Sequence, residues 1–188
     1  MELLAEITEK DVGIKKNPKA EHAAAWRADA APDKDIRSYY RGAARAVVLN
    51  AGKEMALLHV TKQGYYKLPG GGIGKGESTV GALHREVMEE IGCRVGALKP
   101  IGMIIEHRER IRITQISYCY MARLKGRPGE NDLEEDEKAL GSEPEWWGMR
   151  KALCLVEGSG RPNYLAKFMV ARDATFIRKA IRLVSDRY

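Results

Sequence analysis

The segment from residue 78 to residue 92 constrains the fold more than any other part of the chain, because its pattern is that of one amphipathic helix. Apolar residues recur there at helical spacing, and we expect them to form a buried stripe: Val80, Leu83, Val87 and Ile91. Ser78 is a good N-cap, and Gly92 suits the left-handed conformation that ends many helices. The pattern therefore predicts a helix from about Thr79 to Ile91.

Three glutamates share one face of this predicted helix, near its C-terminal end. Glu86 lies three residues before Glu89 and four before Glu90, so the side chains are neighbours. Each like-charged pair costs about 0.2 to 0.5 kcal/mol, and carboxylates in the last turn also oppose the helix dipole. Arg85 is the only nearby cation that the sequence offers. A solvated charged face is the ordinary alternative, but this placement favours a site for a bound cation.

Glycines at positions 70, 71, 72 and 74 precede the helix. Short strands predicted at 54–60 and 65–68 lead to Pro69, which cannot continue a central strand. Glycine allows positive φ and lets the backbone approach a ligand closely, although a plain turn would use the same residues. The run lacks the Gly-Lys-Ser/Thr sequence of a P-loop, so that kind of nucleotide site is excluded.

Together, this loop and helix resemble the sequence box of the Nudix hydrolase family. The box reads Gly, five residues, Glu, seven residues, Arg-Glu, an aliphatic, any residue, Glu-Glu, any residue, Gly and an aliphatic. It is matched here by Gly71, Glu77, Arg85, Glu86, Val87, Glu89, Glu90 and Gly92, with Cys93 in the last position. Cysteine packs as a small hydrophobe, so this one departure affects neither metal binding nor chemistry.

The resemblance implies a metal-dependent hydrolase of a phosphoanhydride bond. Glu86, Glu89 and Glu90 would be the metal ligands, together with the backbone carbonyl of Gly70. Carboxylate oxygens without histidine or thiolate favour Mg²⁺ or Mn²⁺ over zinc. Such an ion would neutralise charge on the phosphates and activate a bound water. The neighbouring His84 is expected at the surface.

Two further residues of the box, Glu77 and Arg85, would brace the loop against the helix. Members of the family commonly use one more glutamate, from a downstream loop, as base or extra ligand. The segment 130–145 holds eight acids and one lysine, and its candidates are Glu134, Glu135 and Glu137, with Glu106 as a rival. We select Glu137, and a solvated acidic loop is the alternative.

Basic residues outside the box suit a polyphosphate substrate. Arg41 and Arg45 flank the start of a predicted strand, and Arg108 lies at a predicted turn with Arg110 and Arg112. The predicted substrate-binding set is Arg41, Arg45, Lys67, Arg108 and Tyr66. Its arginines would bind phosphate oxygens, and Tyr66 is one of four tyrosines that could stack on a base, with Tyr65, Tyr118 and Tyr120.

The rest of the pattern predicts an α/β fold, a Nudix-type α/β/α sandwich with a mixed central sheet. Strands are predicted at 43–49, 55–60, 94–106, 111–124 and 146–149, with a short helix at 150–157. The helix at 79–91 would cover one face of the sheet, and an apolar 3.6-residue pattern at 163–185 would cover the other. We expect one domain over 1–188 with a catalytic core at 41–158. Residues 1–40 would add an edge strand, cover the site or form a homodimer contact.

Composition limits the cellular setting. No segment of the 188 residues approaches a membrane span, and charged residues interrupt the apolar N-terminus, so no signal peptide is visible. Cys93, Cys119 and Cys154 lack metal-like spacing and are predicted to be buried thiols. We expect a soluble cytoplasmic protein without a membrane partner.

The substrate stays open among several nucleotides. Family members that hydrolyse ADP-ribose often carry a proline near the position where this chain has Arg108, and the family's coenzyme A signature is also missing. This favours a nucleoside triphosphate, such as an oxidised purine nucleotide. The alternatives are an ADP-sugar, a dinucleoside polyphosphate, the 5′ end of an RNA and a nucleotide-sensing module without catalysis. The net charge of +6 is compatible with nucleic acid, but the basic residues form no aromatic-interleaved stripe.

Overall fold

A computed structural model gives the fold and describes residues 1–15 and 39–185. The strands are β1 (Leu3–Thr8), β2 (Tyr39–Leu49), β3 (Glu54–Val60), β4 (Tyr65–Lys67), β5 (Arg94–Arg108), β6 (Ile113–Lys125) and β7 (Ser142–Gly148). The helices are α1 (Thr79–Ile91), α2 (Glu135–Ala139), α3 (Met149–Glu157) and α4 (Tyr164–Ser185). None of these helices combines the length and the apolar character needed to cross a membrane.

Within the described residues, seven strands form one mixed sheet in the order β1-β5-β6-β2-β3-β4, and β7 pairs with β3. The long hairpin of β5 and β6 is antiparallel, whereas β1 runs parallel to β5 and β2 runs parallel to β6. The N-terminal segment contributes the edge strand β1, as one of the three interpretations of residues 1–40 proposed. The other two, a cover for the site and a homodimer contact, also involve residues 16–38, which lie outside the described residues.

Helices cover both faces of the sheet, which confirms the predicted α/β/α sandwich. On one face α1 packs Leu83, Val87 and Ile91 against the strands. On the other face α3 and α4 cover a larger core that includes Phe168 and Phe176. Because both faces are covered, β2 is buried from Ala43 onward. Its residues there are apolar except for Arg45, a buried cation on the α4 face.

Local signals at both ends explain why α1 has the predicted bounds. The Ser78 side chain accepts a hydrogen bond from the Gly81 N–H at the start of the helix. At its end Gly92 has φ +62°, and its N–H donates to the Met88 carbonyl. A Cβ on Gly92 would also lie 2.7 Å from the Glu130 carbonyl oxygen, so this position requires glycine for two reasons.

Some local predictions were wrong. Val80 is 39% exposed and does not belong to the buried stripe, because it lies in the first turn, beyond the edge of the core. Cys154 is exposed on α3, whereas Cys93 and Cys119 are buried as predicted. Strand β5 continues past Glu106, so Arg108 is its last residue and lies before the turn.

Candidate active site

A glycine loop lies between β4 and α1 and pairs with the backbone of β2. Ala44 donates its N–H to the Gly71 carbonyl at 3.0 Å, and the Ile73 N–H donates to the Gly42 carbonyl at 3.0 Å. Gly70 has φ +129°, and a Cβ there would lie 2.9 Å from the Arg45 Cα. The loop can therefore run along β2 only because it lacks side chains at these positions.

The same loop brings the backbone against the carboxylate of Glu86. A Cβ on Gly71 would lie 2.5 Å from the Glu86 Cδ, in the space that this carboxylate occupies. The Glu86 side chain is 13% exposed, and burial raises the pKa of its carboxyl against the opposing effect of Arg85. Glu86, in the middle of α1, thus places its carboxylate against the backbone of Gly71.

Arg85 connects the loop to the glutamates of α1. Its Nε donates to Glu77 at 3.0 Å, and one terminal nitrogen donates to Glu86 at 2.8 Å and to Glu89 at 3.0 Å. The other terminal nitrogen donates to the Gly72 carbonyl at 2.9 Å. Its hydrogen bond holds the pKa of the Glu77 carboxyl below the ordinary value. These are the contacts expected of a brace between loop and helix.

A second cation, Lys67, accompanies the third glutamate of the helix. The Lys67 Nζ lies 2.9 Å from Glu90 Oε1 and 2.9 Å from Glu137 Oε1. Glu90 Oε2 accepts a hydrogen bond from the Gly70 N–H. The expectation that Arg85 alone offsets the three glutamates was therefore wrong, because Lys67 approaches from the neighbouring strand β4.

Burial and charge act in opposite directions on this pair of acids. Burial raises the pKa of Glu90 to about 8, although the Lys67 ammonium works against that shift. For Glu137 burial also favours the neutral form, but Lys67 and the hydrogen bonds outweigh it and the pKa falls below its ordinary value. The two carboxyl groups therefore differ in the proton affinity that their surroundings impose.

The acidic segment after β6 docks on the C-terminal end of α1. The Gly129 N–H donates to the Gly92 carbonyl at 2.9 Å, and the Asp132 N–H donates to the Glu89 carbonyl at 2.7 Å. These bonds satisfy carbonyl groups that the end of a helix leaves open. As a result Glu137 on α2 lies beside Glu90, whereas the Glu135 side chain is 91% exposed.

The donor chemistry of this cluster fits Mg²⁺ or Mn²⁺. Within the described residues, no three carboxylate, imidazole or thiol groups converge into a ready-made metal site. Glu86, Glu89 and Glu90 nevertheless offer hard oxygens beside the backbone of Gly70, and carboxylate oxygens are what these ions prefer. The same oxygens now contact Arg85 and Lys67, so a divalent ion would replace positive charge that the chain itself supplies.

A buried network of charges lies on the opposite face of the sheet, under α4. Glu106 accepts hydrogen bonds from Arg108 at 3.0 Å and Gln115 at 2.8 Å, and it pairs with Arg172 at 3.5 Å. Burial raises the pKa of the Glu106 carboxyl, but the charges of Arg172 and Arg108 outweigh that effect. The pKa therefore lies below its ordinary value. The structure thus places Glu106, the rival to Glu137, in an ion network on the α4 face.

Three arginines of this region outnumber their acids. Arg45 is 8% exposed, and neither its Nε nor that of Arg108 has a hydrogen-bond acceptor among the described residues. Burial and then the neighbouring Arg172 lower the pKa of Arg45 to about 10, so its guanidinium stays protonated at neutral pH. Arg172 and Asp173 were missed from the sequence, where adjacent charges within an apolar helix pattern were the available signal.

The remaining predicted substrate residues lie apart from one another. Arg41 is half-buried next to Gly72, and a Cβ on that glycine would lie 2.9 Å from a terminal nitrogen of Arg41. Tyr66 lies on the face of the sheet opposite Lys67, where its ring stacks on His59 with a centroid separation of 4.3 Å. Its hydroxyl donates to Glu145 at 3.3 Å. The structure therefore brings Arg41 and Lys67, but not Tyr66, to the side of the glycine loop.

Known proteins resemble this chain in sequence and in fold. The sequence model of the NUDIX domain matches residues 39–168. None of the curated proteins matches the chain. The crystal structure of the MutT protein from Methanosarcina mazei Go1 superposes with a TM-score of 0.54 and 19% identity over 78% of this chain and 96% of that one. The solution structure of the E. coli ORF135 protein gives 0.56 and 18% over 80% and 94%.

Proposed function

This chain belongs to the NUDIX family of hydrolases, which act on nucleoside diphosphate derivatives, and we propose that its substrate is a nucleoside triphosphate. The observation that carries the proposal is the gathering of box carboxylates against a glycine loop, with Arg41 and the protonated Arg45 on the adjoining strand β2. The missing ADP-ribose and coenzyme A signatures favour the triphosphate, with an oxidised purine nucleotide as one example.

In this proposal Glu86, Glu89, Glu90 and the Gly70 carbonyl would hold Mg²⁺ or Mn²⁺. When bound, the ion supplies charge neutralisation at the phosphates and acidifies a water. Arg85 and Glu77 keep the loop and helix in register through their mutual hydrogen bonds. The box glutamates are all present, which favours a hydrolase over a sensing module without catalysis.

Glu137 is the proposed general base. Its lowered pKa keeps the carboxylate ionised at neutral pH, so it can accept a proton from the attacking water. Glu137 Oε1 lies 2.9 Å from Lys67 Nζ, the same nitrogen that contacts Glu90. Of the three glutamates proposed from the acidic segment, it is the one whose side chain contacts this cluster.

Phosphate binding is assigned to Arg41, which lies beside Gly72 of the glycine loop, with Arg45 as a buried charge behind that loop on the α4 face. The Arg45 guanidinium has a donor without an acceptor among the described residues, and its positive charge would attract phosphate to this side of β2. Arg108 already pairs with Glu106 and is given a supporting role. The cytoplasmic location and the homodimer stay predictions.

A nucleotide panel with product identification tests this function. We expect the purified protein to convert at least one nucleoside triphosphate to the monophosphate and pyrophosphate when Mg²⁺ or Mn²⁺ is supplied. Glu137→Gln should lower kcat at least about 100-fold, whereas the exposed Glu135→Gln should stay within about twofold. No turnover of any triphosphate would refute the substrate class. Hydrolysis of ADP-sugars, dinucleoside polyphosphates or RNA 5′ ends alone would assign another member of the family's range.

A further inference from the structure

Lys67 is a charged residue that is largely buried at the end of a strand. It is the last residue of β4, it pairs with Leu58 of β3, and its side chain is only 15% exposed. Its ammonium contacts Glu90 of α1 and Glu137 of α2, each at 2.9 Å. Lys67 therefore adds a charged contact between the box helix and the acidic segment, beside the backbone hydrogen bonds that dock the two.

The contacts of Glu90 leave neither of its oxygens open. Oε1 faces the Lys67 ammonium at 2.9 Å, and Oε2 accepts the Gly70 N–H. The Glu90 side chain is 2% exposed, so both partners contact it in a buried setting. Any cation that binds Glu90 through Oε1 must first separate this oxygen from Lys67, because two cations on one oxygen repel each other.

We propose that Lys67 is a positioning residue that competes with the divalent cation for Glu90. This inference rests on the proposed function, since it takes the box glutamates as metal ligands. While the ammonium contacts both carboxyl groups, Glu90 and Glu137 stay side by side and α2 stays docked. When a divalent cation takes Glu90, the ammonium leaves Oε1 and keeps its contact with Glu137, so the base stays at the site.

The choice of lysine supports a displaceable contact. Arginine has a rigid planar guanidinium, and two buried ion pairs among the described residues, Arg108–Glu106 and Arg172–Asp173, use it. Lysine is a compact point charge on a flexible stem, so its ammonium can move without moving the backbone of β4. The Lys67 ammonium can therefore leave Glu90 Oε1 while its backbone stays paired with Leu58.

Observation of the Lys67 ammonium itself tests this proposal. In the full-length protein labelled with ¹⁵N-lysine, the Nζ signal of a buried, paired lysine is protected from water, and its loss in Lys67→Arg assigns it. Mg²⁺ is added while calorimetry on the same sample measures how much is bound. We expect the Lys67 signal to shift or disappear in proportion to bound Mg²⁺, whereas Na⁺ added to the same ionic strength leaves it unchanged.

Affinity provides a second readout that depends on no signal assignment. Because a guanidinium holds carboxylates more firmly, Lys67→Arg should weaken Mg²⁺ binding at least about tenfold, whereas the matched control Lys75→Arg should bind like the wild type. Lys67→Met, which removes the competing charge at similar volume, should bind Mg²⁺ at least as tightly as the wild type, whereas a merely structural lysine would lose affinity in both variants.

The possible outcomes separate this inference from the proposed function. If the wild type binds Mg²⁺ while the Lys67 signal stays unchanged, or if Lys67→Arg binds as tightly as the wild type, the competition is refuted and the metal site stands. If the wild type binds no Mg²⁺ at all, the proposed function fails, and with it the premise of the competition.

Discussion

Replacement of Glu90 by glutamine should make the free energy of unfolding respond differently to pH. In the folded wild type, burial raises the pKa of Glu90 from an ordinary value near 4.5 to about 8. Between these two values the folded protein holds a proton that the unfolded chain has released. Wild-type stability should therefore fall as pH rises through this window, and the contribution should become constant above it. Glu90→Gln does not titrate and escapes this loss.

The size of the effect follows from the same pKa. Each unit of difference between folded and unfolded pKa corresponds to about 1.4 kcal/mol, so the full window corresponds to about 5 kcal/mol. The stability of Glu90→Gln minus that of the wild type should therefore rise by up to about 4 kcal/mol from about pH 5 to about pH 8. Lys67 moderates the shift but does not reverse it.

Urea unfolding in the presence of a chelator, at several pH values from about 5 to about 8, measures this difference. The chelator is needed because a bound divalent ion would itself lower the pKa of Glu90. Glu135→Gln, whose side chain is 91% exposed, serves as control and should show no such trend. A pH-independent difference between Glu90→Gln and the wild type would refute the reasoning. A difference that changes with pH in favour of the wild type would mean that Lys67 outweighs burial.

Two further stability predictions concern the frame around the site. Gly92→Ala should lower the free energy of unfolding by at least about 2 kcal/mol, because the left-handed backbone and the nearby Gly129 and Glu130 carbonyls both resist a Cβ. Gly76→Ala, with φ +77° in open space, should cost only about 1 kcal/mol in the same urea titration. Asp173→Ala should cost about 3 to 5 kcal/mol, because it leaves Arg172 buried without this partner and the Leu68 N–H without its acceptor. Removal of the exposed Glu157 carboxylate, the partner of Arg178, should cost less than about 1 kcal/mol, and equal losses for these two acids would contradict the assignment of a buried network.

Local signals carried much of the fold. The bounds of α1 were predictable because a cap, a left-handed glycine and an apolar period act within one segment. Six of the seven strands among the described residues were predictable because runs of apolar residues alternate with turns, whereas β1 was only one of the alternatives for residues 1–40. The glycine loop and the glutamates of α1 came from residue spacing in the same way, since side chains three or four positions apart share one face of a helix.

Long-range contacts were beyond such signals. Lys67 contacts one acid 23 residues away and another 70 residues away, and no periodicity links them. The choice among the acids of the segment 130–145 depends on how that segment docks on the end of α1, which backbone hydrogen bonds decide. The buried pair of Arg172 and Asp173 was not identified, because a sequence does not reveal how closely α4 packs on the sheet.

The account depends most on one claim, that the carboxylates of α1 bind a divalent cation. Titration calorimetry with Mg²⁺ or Mn²⁺ tests it directly on the wild type, on Glu86→Gln and on a control, Glu109→Gln, in the turn after β5. We predict that the wild type and the control bind the ion alike and that Glu86→Gln binds at least about tenfold more weakly. Absence of binding by the wild type, or equal affinity in Glu86→Gln, would contradict the claim.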